Sequence, residues 1–191
     1  MNNHKNTMKP ILLLILLMVI VSACSVETPK QEISQKDVEM SGGIVKMKLT
    51  SPSFENNNEI PSEFTCDGPN ILPELNIAET PENTKSLALI MDDPDAPGGT
   101  WIHWVVFNIP PETKVIQKNT EPRGIQGTTS FGRLEYGGPC PPSGTHRYFF
   151  KLYALDAALD LKEGSDKAAL EQAMDGHIIE SSELIGNYKR K

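Results

Sequence analysis

Short apolar or alternating runs, separated by clusters of proline and glycine, limit this chain to a fold of short strands. Ser86–Met91 is continuously apolar, which is typical of a strand covered on both faces. The runs that we predict as strands are Ile44–Thr50, Glu63–Cys66, Glu74–Ile77, Ser86–Met91, Trp101–Ile109 and Tyr148–Asp156. Strands at this spacing predict a mainly β protein, an antiparallel sandwich of two sheets.

The last part of the chain has a different periodicity. From Ser165, which we predict as an N-cap, apolar residues recur at helical spacing as far as Met174. A second apolar group extends from about Ile178 to Leu184, and we predict a second helix there. The expected architecture is therefore a β-sandwich with two C-terminal helices packed at its periphery.

The N-terminus has the features of an export signal. Two lysines precede an unbroken apolar run, Ile11–Val21, which is shorter than the roughly 20 residues that a membrane span needs. Small residues and then Cys24 follow, and this arrangement resembles the lipobox of bacterial lipoproteins. The resemblance implies removal of residues 1–23, lipid with acyl chains such as palmitate on Cys24, and anchoring on the extracytoplasmic face of the cell membrane or an outer membrane. The alternative is an ordinary signal peptide with a chance cysteine at its end.

Residues 24–43 are polar and end in Gly-Gly, without a helical or strand period. We predict that they tether the anchor to a domain spanning residues 44–191, the alternative being an unrecognised first strand. Removing residues 1–23 takes two lysines and no acidic residue, and it leaves 16 basic against 25 acidic residues, a formal charge of −9. Such a charge argues against non-specific nucleic-acid binding, which needs clustered Lys and Arg.

Groups that carry chemistry gather in two stretches. In residues 92–104, a loop with three carboxylates and two prolines leads into a strand on which His103 shares a face with Trp101. In residues 136–148, glycines and prolines precede His146 at the start of the next long strand. Taken separately, each histidine is more simply a structural residue and each loop a plain turn.

Together the two stretches resemble the phosphatidylethanolamine-binding protein (PEBP) family, also called Raf kinase inhibitor-like proteins. The family pattern combines Asp-Pro-Asp-Ala-Pro, a histidine after a tryptophan, and a Gly/Pro loop that closes in His-Arg-Tyr. These motifs stand here at Asp93–Pro97, at Trp101 with His103, and at Tyr136–Tyr148. Pro-Cys-Pro-Pro within the second stretch is similar to the bacterial and archaeal branch. The resemblance covers about residues 44–190.

The resemblance implies two antiparallel sheets and a small pocket that binds anions such as phosphate, phosphoryl head groups or acetate. The residues carried over are Asp93, His103 and His146 inside the pocket, and Pro97, Trp101, Gly138, Pro141 and Tyr148 in its wall. Some family members regulate kinases or proteases. The leading hypothesis is therefore a lipid-anchored, non-enzymatic protein that binds a small anionic or phosphoryl ligand, modulates a partner protein and needs no cofactor.

The two histidines suggest how an anion would be held. A bound anion favours protonated imidazoles at His103 and His146, because the reference pKa of histidine lies near 6.5. We therefore expect binding to strengthen on mild acidification. Asp93 is expected to orient one imidazole or to accept a hydrogen bond from the ligand. Gly138 and Ser143 are the expected backbone donors of the second stretch.

Two cysteines remain once Cys24 carries lipid. In an exported domain this even number allows a disulfide between Cys66 and Cys140. Two buried free thiols are the alternative, because the sequence does not supply the Cα separation that a disulfide requires.

Two other functions stay open at this stage. A hydrolase would use Asp93 with His103 or His146, although the sequence contains no Gly-x-Ser-x-Gly nucleophile motif. A metal site would use these residues and Asp95, although no His-x-His or Cys-x-x-Cys spacing favours it. Loss of turnover on changing Asp93 would favour the first, and a metal retained through dialysis would favour the second.

Overall fold

The computed structural model describes residues 46–191. This part of the chain is mainly β, with one 3-10 turn at Ser62–Phe64 and one α-helix, α1, at Lys167–Met174. Its strands are β1 (Lys48–Thr50), β2 (Asn58–Glu59), β3 (Leu75–Ala78), β4 (Ser86–Asp93), β5 (Trp101–Ile109), β6 (Val115–Ile116), β7 (Ile125–Gln126), β8 (His146–Leu155) and β9 (Ile178–Tyr188). The predicted signal peptide, Cys24, the tether and the start of the first predicted strand lie outside the described residues.

The strands form two sheets, with the orders β1-β3-β6 and β2-β9-β8-β4-β5-β7. Neighbouring strands are antiparallel except β2 and β9, which are parallel. β4 is hydrogen-bonded to β5 on one side and to β8 on the other, and all of its residues are buried. This position accounts for the continuous apolar sequence of β4.

The apolar core lies on both faces of the larger sheet. Leu87 and Leu89 of β4 belong to a cluster that includes residues of the smaller sheet, such as Leu49. Ala88 and Ile90 belong to a second cluster that α1 covers. Because successive side chains of a strand point to opposite faces, a strand covered on both sides needs apolar residues throughout. The strands predicted around β3, β4, β5 and β8 are found within two residues of the expected bounds.

The second predicted C-terminal helix is wrong, because Ile178–Tyr188 forms β9. The apolar residues near the two ends of this segment mimic helical spacing. In the structure, β9 pairs along its length with β8, from Ile178 opposite Leu155 to Tyr188 opposite His146. The neighbouring strand supplies backbone hydrogen-bond partners that local periodicity does not reveal.

The strand predicted at Glu63–Cys66 is also wrong, because the chain makes a 3-10 turn over Ser62–Phe64. The turn is closed by the Thr65 N–H, which donates to the Ser62 carbonyl oxygen at 3.1 Å. Pro61 precedes the turn with φ −57°, and this fixed angle favours the start of a tight helical turn over a strand.

Helix α1 is found where the first C-terminal helix is predicted, but its N-cap is Asp166 and not Ser165. The Asp166 carboxylate accepts a hydrogen bond from the Ala169 N–H at 2.9 Å, whereas the Ser165 hydroxyl donates to the Lys162 carbonyl oxygen at 2.8 Å. Within residues 46–191, no helix has the length and apolar character needed to cross a bilayer.

Candidate ligand-binding site

Three strands of the larger sheet end or begin at one place. β4 ends at Asp93, β5 begins at Trp101 and β8 begins at His146. Since β5 and β8 are both antiparallel to β4, their first residues lie beside its last, and Asp93 is paired with Trp101. The sheet thereby brings together Asp93 and His146, which are 53 positions apart in the sequence.

A cavity of about 420 Å³ opens at this edge of the sheet. One side, here called the strand wall, consists of Asp93, His103, His146 and Tyr148. The other side, the loop wall, consists of residues 96–101, Phe131, Cys140 and Pro142. The strand wall carries the titratable groups, and the loop wall is mostly apolar.

Six of the eight predicted ligand-binding residues line this cavity: Asp93, Pro97, Trp101, His103, His146 and Tyr148. The remaining two, Gly138 and Pro141, are not among the lining residues. Their loop contributes Cys140 and Pro142 instead. The sequence thus locates the loop, but it does not show which of its residues turn toward the cavity.

Gly138 has a different role from the one predicted. Its N–H donates to Asn70 Oδ1 at 2.9 Å, so this donor is not free for an anion. A Cβ at position 138 would collide with Asn70 Oδ1 and with the Phe64 carbonyl oxygen. Glycine therefore allows two loops to pack closely. Ser143, the other predicted donor, is exposed and lies outside the cavity lining.

Phe131 is a cavity residue that the sequence analysis missed. Its ring packs edge-on against Trp101 and His103, with ring centroids 5.5 and 5.4 Å apart. Trp101 and Phe131 remain 40% and 39% exposed, so they form an apolar rim. An isolated aromatic residue in a loop has no periodicity, and its only signal is a large apolar side chain among small and polar neighbours.

The strand wall contains a buried hydrogen bond between a histidine and an aspartate. His146 Nδ1 donates to Asp93 Oδ2 at 2.7 Å, and the two side chains are 8% and 4% exposed. The Asp95 N–H donates to the other carboxylate oxygen at 2.8 Å. Both oxygens of the Asp93 carboxylate are therefore hydrogen-bonded within the protein.

His103 is held by the backbone. Its Nδ1 donates to the Gly137 carbonyl oxygen at 2.6 Å, and the Gly137 N–H donates back to the His103 carbonyl oxygen at 3.0 Å. Burial lowers the pKa of His103 below the ordinary 6.5, although the Gly137 carbonyl and the Asp93 carboxylate act in the opposite direction. In the unliganded protein His103 is therefore neutral at pH 7.

Tyr148 lines the cavity, and its hydroxyl group is fully buried. This oxygen is buried and has no hydrogen-bond partner among residues 46–191. Burial, assisted by the Asp93 carboxylate, raises the pKa of Tyr148, so its O–H remains a donor at neutral pH. The ring stacks on His146 and meets His103 edge-on, with centroids 6.5 and 5.1 Å apart.

An ion pair fixes the start of the loop wall to β8. Arg147 Nε and a terminal nitrogen donate to the two oxygens of Asp95 at 2.9 and 2.8 Å. The Arg147 guanidinium lowers the pKa of Asp95 to about 2. Because this pair is largely exposed, it positions the loop more than it stabilises the fold.

A disulfide holds the far side of the loop wall. Cys66 and Cys140 are bonded, with Cα atoms 5.3 Å apart. The Cys66 N–H also donates to the Pro139 carbonyl oxygen at 3.0 Å. The Tyr136 hydroxyl donates to the Phe64 carbonyl oxygen at 2.9 Å. The loop before β8 is therefore attached to the loop after the 3-10 turn by covalent and hydrogen bonds.

The residues considered as metal ligands are not grouped as a metal site in the described part of the chain. Within residues 46–191, no three His, Cys, Asp or Glu side chains are grouped as they would be around a metal ion. Asp95, one of the predicted metal ligands, is occupied by Arg147. Asp93 is the hydrogen-bond partner of His146, and the only cysteine of the lining is bonded to Cys66.

A larger concavity of about 690 Å³ lies along the C-terminal residues. Its charged lining residues are exposed, and they are Glu59, Lys189, Arg190 and Lys191. Arg190 is already paired with Asp67 at 3.1 Å. Convergent buried polar groups define a ligand site better than exposed charges do, so we place the site in the smaller cavity.

The family model described as phosphatidylethanolamine-binding protein matches residues 50–189. The chain belongs to this family. Two PEBP relatives, the UPF0098 proteins of Methanothermobacter thermautotrophicus and Pyrococcus horikoshii, are each 49% identical to it. The first match covers 75% of this chain and 99% of the relative, and the second covers 80% and 82%.

Two solved structures of PEBP proteins are similar to this chain. A PEBP homologue from Chlamydia trachomatis is 41% identical with a TM-score of 0.75, over 76% of this chain and 99% of that one. YbcL of Escherichia coli, described as a new member of the mammalian PEBP family, is 30% identical with a TM-score of 0.72, over 77% and 100%. The family identified from the motifs and the mainly β PEBP fold are thus confirmed.

Proposed function

We propose that this PEBP-family protein binds a small anionic or phosphoryl ligand in the cavity between the strand wall and the loop wall. One observation carries the proposal: the same cavity is lined by the buried Asp93–His146 pair and by Tyr148, whose buried hydroxyl has no hydrogen-bond partner among residues 46–191. Buried polar groups are normally hydrogen-bonded. A ligand with acceptor oxygens satisfies both the Tyr148 hydroxyl and the free nitrogen of His146.

Charge balance explains why such a site suits an anion despite the acidic protein. When His146 carries two protons, its positive charge is shared between Asp93 on one side and the ligand on the other. At a mature charge of −9, long-range steering of anions is absent. Affinity then depends on local donors, and we expect it to be modest and to increase on mild acidification through His146.

The loop wall favours a ligand with an organic part. Trp101 and Phe131 are about two-fifths exposed beside the polar groups. Apolar contact surface next to a few polar groups is typical of sites for small organic molecules. A phosphoryl head group or a small phosphate ester matches both walls better than a bare ion does.

The proposal includes the location of the protein and a partner. Lipid on Cys24 would anchor the domain at the extracytoplasmic face of a membrane, and the exposed rim of Trp101 and Phe131 supports contact with a partner such as a kinase or protease. Fractionation of cells that express the full chain tests the anchor. Wild type should sediment with membranes, and Cys24→Ser should not; equal distribution of the two would contradict lipid anchoring.

Histidine NMR tests the ligand directly. Residues 25–191 are suitable, because the Chlamydia homologue consists almost entirely of the matched region. We expect phosphate and phosphoethanolamine to shift the His103 and His146 resonances together at pH 6. His177 is an internal control, since it pairs with Asp156 at 2.8 Å outside the cavity lining. Unchanged His103 and His146 resonances at high ligand concentration would refute the proposal.

A matched pair of tyrosine variants tests the role of the unpaired hydroxyl. Tyr148→Phe removes a donor that has no protein partner among residues 46–191. It should weaken phosphate binding roughly fivefold, as expected for loss of one hydrogen bond, with little change in folding stability. Tyr153→Phe, on the same strand but outside the cavity lining, should leave binding unchanged. Equal effects of the two variants would show that Tyr148 does not contact the ligand.

A further inference from the structure

The two histidines of the cavity use the same ring nitrogen for different protein partners. His103 Nδ1 faces the Gly137 carbonyl oxygen at 2.6 Å, and His146 Nδ1 faces Asp93 Oδ2 at 2.7 Å. A carbonyl oxygen only accepts hydrogen bonds, and so does an ionised carboxylate. Both Nδ1 atoms therefore carry a proton, and the state of each Nε2 atom decides what the cavity offers to a ligand.

The Nε2 atom of His103 is an acceptor at neutral pH. The titratable groups packed around this ring are Asp92 and Asp93 on β4 and His146 and Tyr148 on β8. The two carboxylates favour the charged ring, but burial outweighs them and lowers the pKa of His103. Among residues 46–191, no donor is hydrogen-bonded to His103 Nε2, and the residue lines the cavity. Its lone pair is thus left for the ligand.

His146 and Tyr148 offer the complementary groups. Tyr148 presents an O–H without a partner among residues 46–191, and His146 presents an N–H at Nε2 when Asp93 balances a second proton. The cavity therefore combines donors with one obligatory acceptor. An oxyanion without a proton would satisfy the donors, but one of its oxygens would face the lone pair of His103.

We propose that the cavity selects oxyanions that carry their own proton, a P–OH group above all, and that His103 Nε2 accepts the hydrogen bond from this group. The inference rests on the proposed anion binding and narrows it to inorganic phosphate and monoprotonated phosphate monoesters. Sulfate has the same tetrahedral shape but no proton at neutral pH. His103 thus acts as a specificity-determining residue.

Binding of inorganic phosphate and of sulfate, compared by calorimetry at pH 7 and constant ionic strength, tests the inference. We expect sulfate to bind at least about 30-fold more weakly, because an oxygen facing a buried lone pair leaves both groups unsatisfied. In His103→Gln the amide can turn its NH₂ group toward the ligand, so the difference should fall below about threefold. His177→Gln, at an exposed histidine outside the cavity lining, should retain the wild-type ratio.

Methyl phosphate provides a test that needs no variant. Its second ionisation lies near pH 6, so it loses its P–OH group by pH 8, whereas inorganic phosphate keeps one proton. The affinity of methyl phosphate relative to phosphate should fall at least about tenfold between pH 6 and pH 8.

The outcomes separate the inference from the proposed function. Equal binding of phosphate and sulfate, with a constant methyl phosphate ratio, would overturn the selection for a P–OH group and leave the anion site intact. Absence of binding of all three probes at millimolar concentration would overturn both. Strong phosphate binding with weak sulfate binding, equalised in His103→Gln, would establish the role of His103.

Discussion

The two walls of the cavity are built by different means. The strand wall is held by the backbone ladders of β4, β5 and β8, and its Asp93, His103 and His146 side chains are almost fully buried. The loop wall has few backbone hydrogen bonds to the sheet. It is held by prolines, by the Asp95–Arg147 pair and by the Cys66–Cys140 disulfide.

The two walls therefore have different roles: one carries the polar groups that bind the ligand, and the other shapes the entrance to the cavity. Groups whose protonation matters lie on the rigid side, where their hydrogen-bond partners are fixed before a ligand arrives. The loop wall is apolar and more exposed. Its residues have little influence on the protonation of the histidines, and they determine the shape of the entrance. Preorganised polar groups on rigid elements lower the cost of binding.

Removal of the disulfide should cause the largest decrease in the free energy of unfolding, and it should destabilise the loop wall. Replacement of both Cys66 and Cys140 by serine should lower the free energy of unfolding by about 4 kcal/mol. The two cysteines are 74 positions apart, and without the bond the unfolded chain gains conformational entropy. Urea unfolding measures this loss. Wild type in reducing buffer is the control and should behave as the double variant does. A loss below about 1 kcal/mol would show that hydrogen bonds alone hold the loop wall.

Loss of the buried Asp93–His146 hydrogen bond should cause the next largest decrease in the free energy of unfolding, and it should destabilise the strand wall. Asp93→Ala leaves His146 Nδ1 without its acceptor, and it should lower the free energy of unfolding by about 3 kcal/mol. Asp95→Ala, two residues later in a more exposed pair, is the matched control for urea unfolding. Should the two variants lose equal stability, the strand wall would not be the more tightly built side.

The pH dependence of stability should reveal the neutral His103. Because the pKa of His103 is lower in the folded state than the ordinary 6.5, the unfolded chain binds more protons as the pH falls below that value. Stability should thus be complete above pH 6.5 and decrease on acidification, by up to about 1.4 kcal/mol per pH unit. Unfolding at a series of pH values should show this slope in wild type and in His177→Gln, and a smaller slope in His103→Gln.

Glu121, an exposed residue with a partly desolvated carboxylate, acts in the opposite sense over part of this range. Burial raises the pKa of Glu121, so its contribution favours the folded state at lower pH. The informative quantity is therefore the difference in slope between wild type and His103→Gln. Identical slopes in the two proteins would mean that His103 is not held neutral by burial.

The smallest decrease in stability is expected when the ion pair between Asp95 and Arg147, which joins the two walls, is weakened. Asp95→Asn weakens the bidentate pairing with Arg147, and because this pair is exposed, the Tm at pH 7 should fall by roughly 2 °C. With the pKa of Asp95 lowered to about 2, its contribution is present above the ordinary 3.8 and is lost as the pH falls toward 2. In thermal unfolding, the Tm difference between Asp95→Asn and wild type should be present at pH 7 and nearly absent at pH 2. An equal Tm difference at both pH values would show that it does not come from the ionised Asp95.

Much of the strand wall was predictable from the sequence. The bounds of β5 follow from the proline and glycine clusters on either side of it, and the continuous apolar run of β4 reflects its cover on both faces. The family motifs name Asp93, His103 and His146, which the sheet indeed brings together. Local pattern is sufficient in these places because burial and pairing act on the same residues.

The loop wall and β9 were less predictable. Phe131 carries no periodicity, and Gly138 and Pro141 belong to the correct loop but do not line the cavity. The segment Ile178–Tyr188 has two glutamates and two serines between its apolar ends, and its pairing with β8 makes it a strand. Such features depend on neighbours that are distant in the sequence.

By itself, the sequence determined the family, the residues of the strand wall and the chemical groups that they bring. It did not determine the protonation of those groups. His103 is held neutral by burial, and its Nδ1 donates to a backbone carbonyl, whereas His146 Nδ1 donates to a buried carboxylate. Only the tertiary structure decides this, because a pKa depends on burial and on charges a few ångströms away, which distant parts of the chain supply.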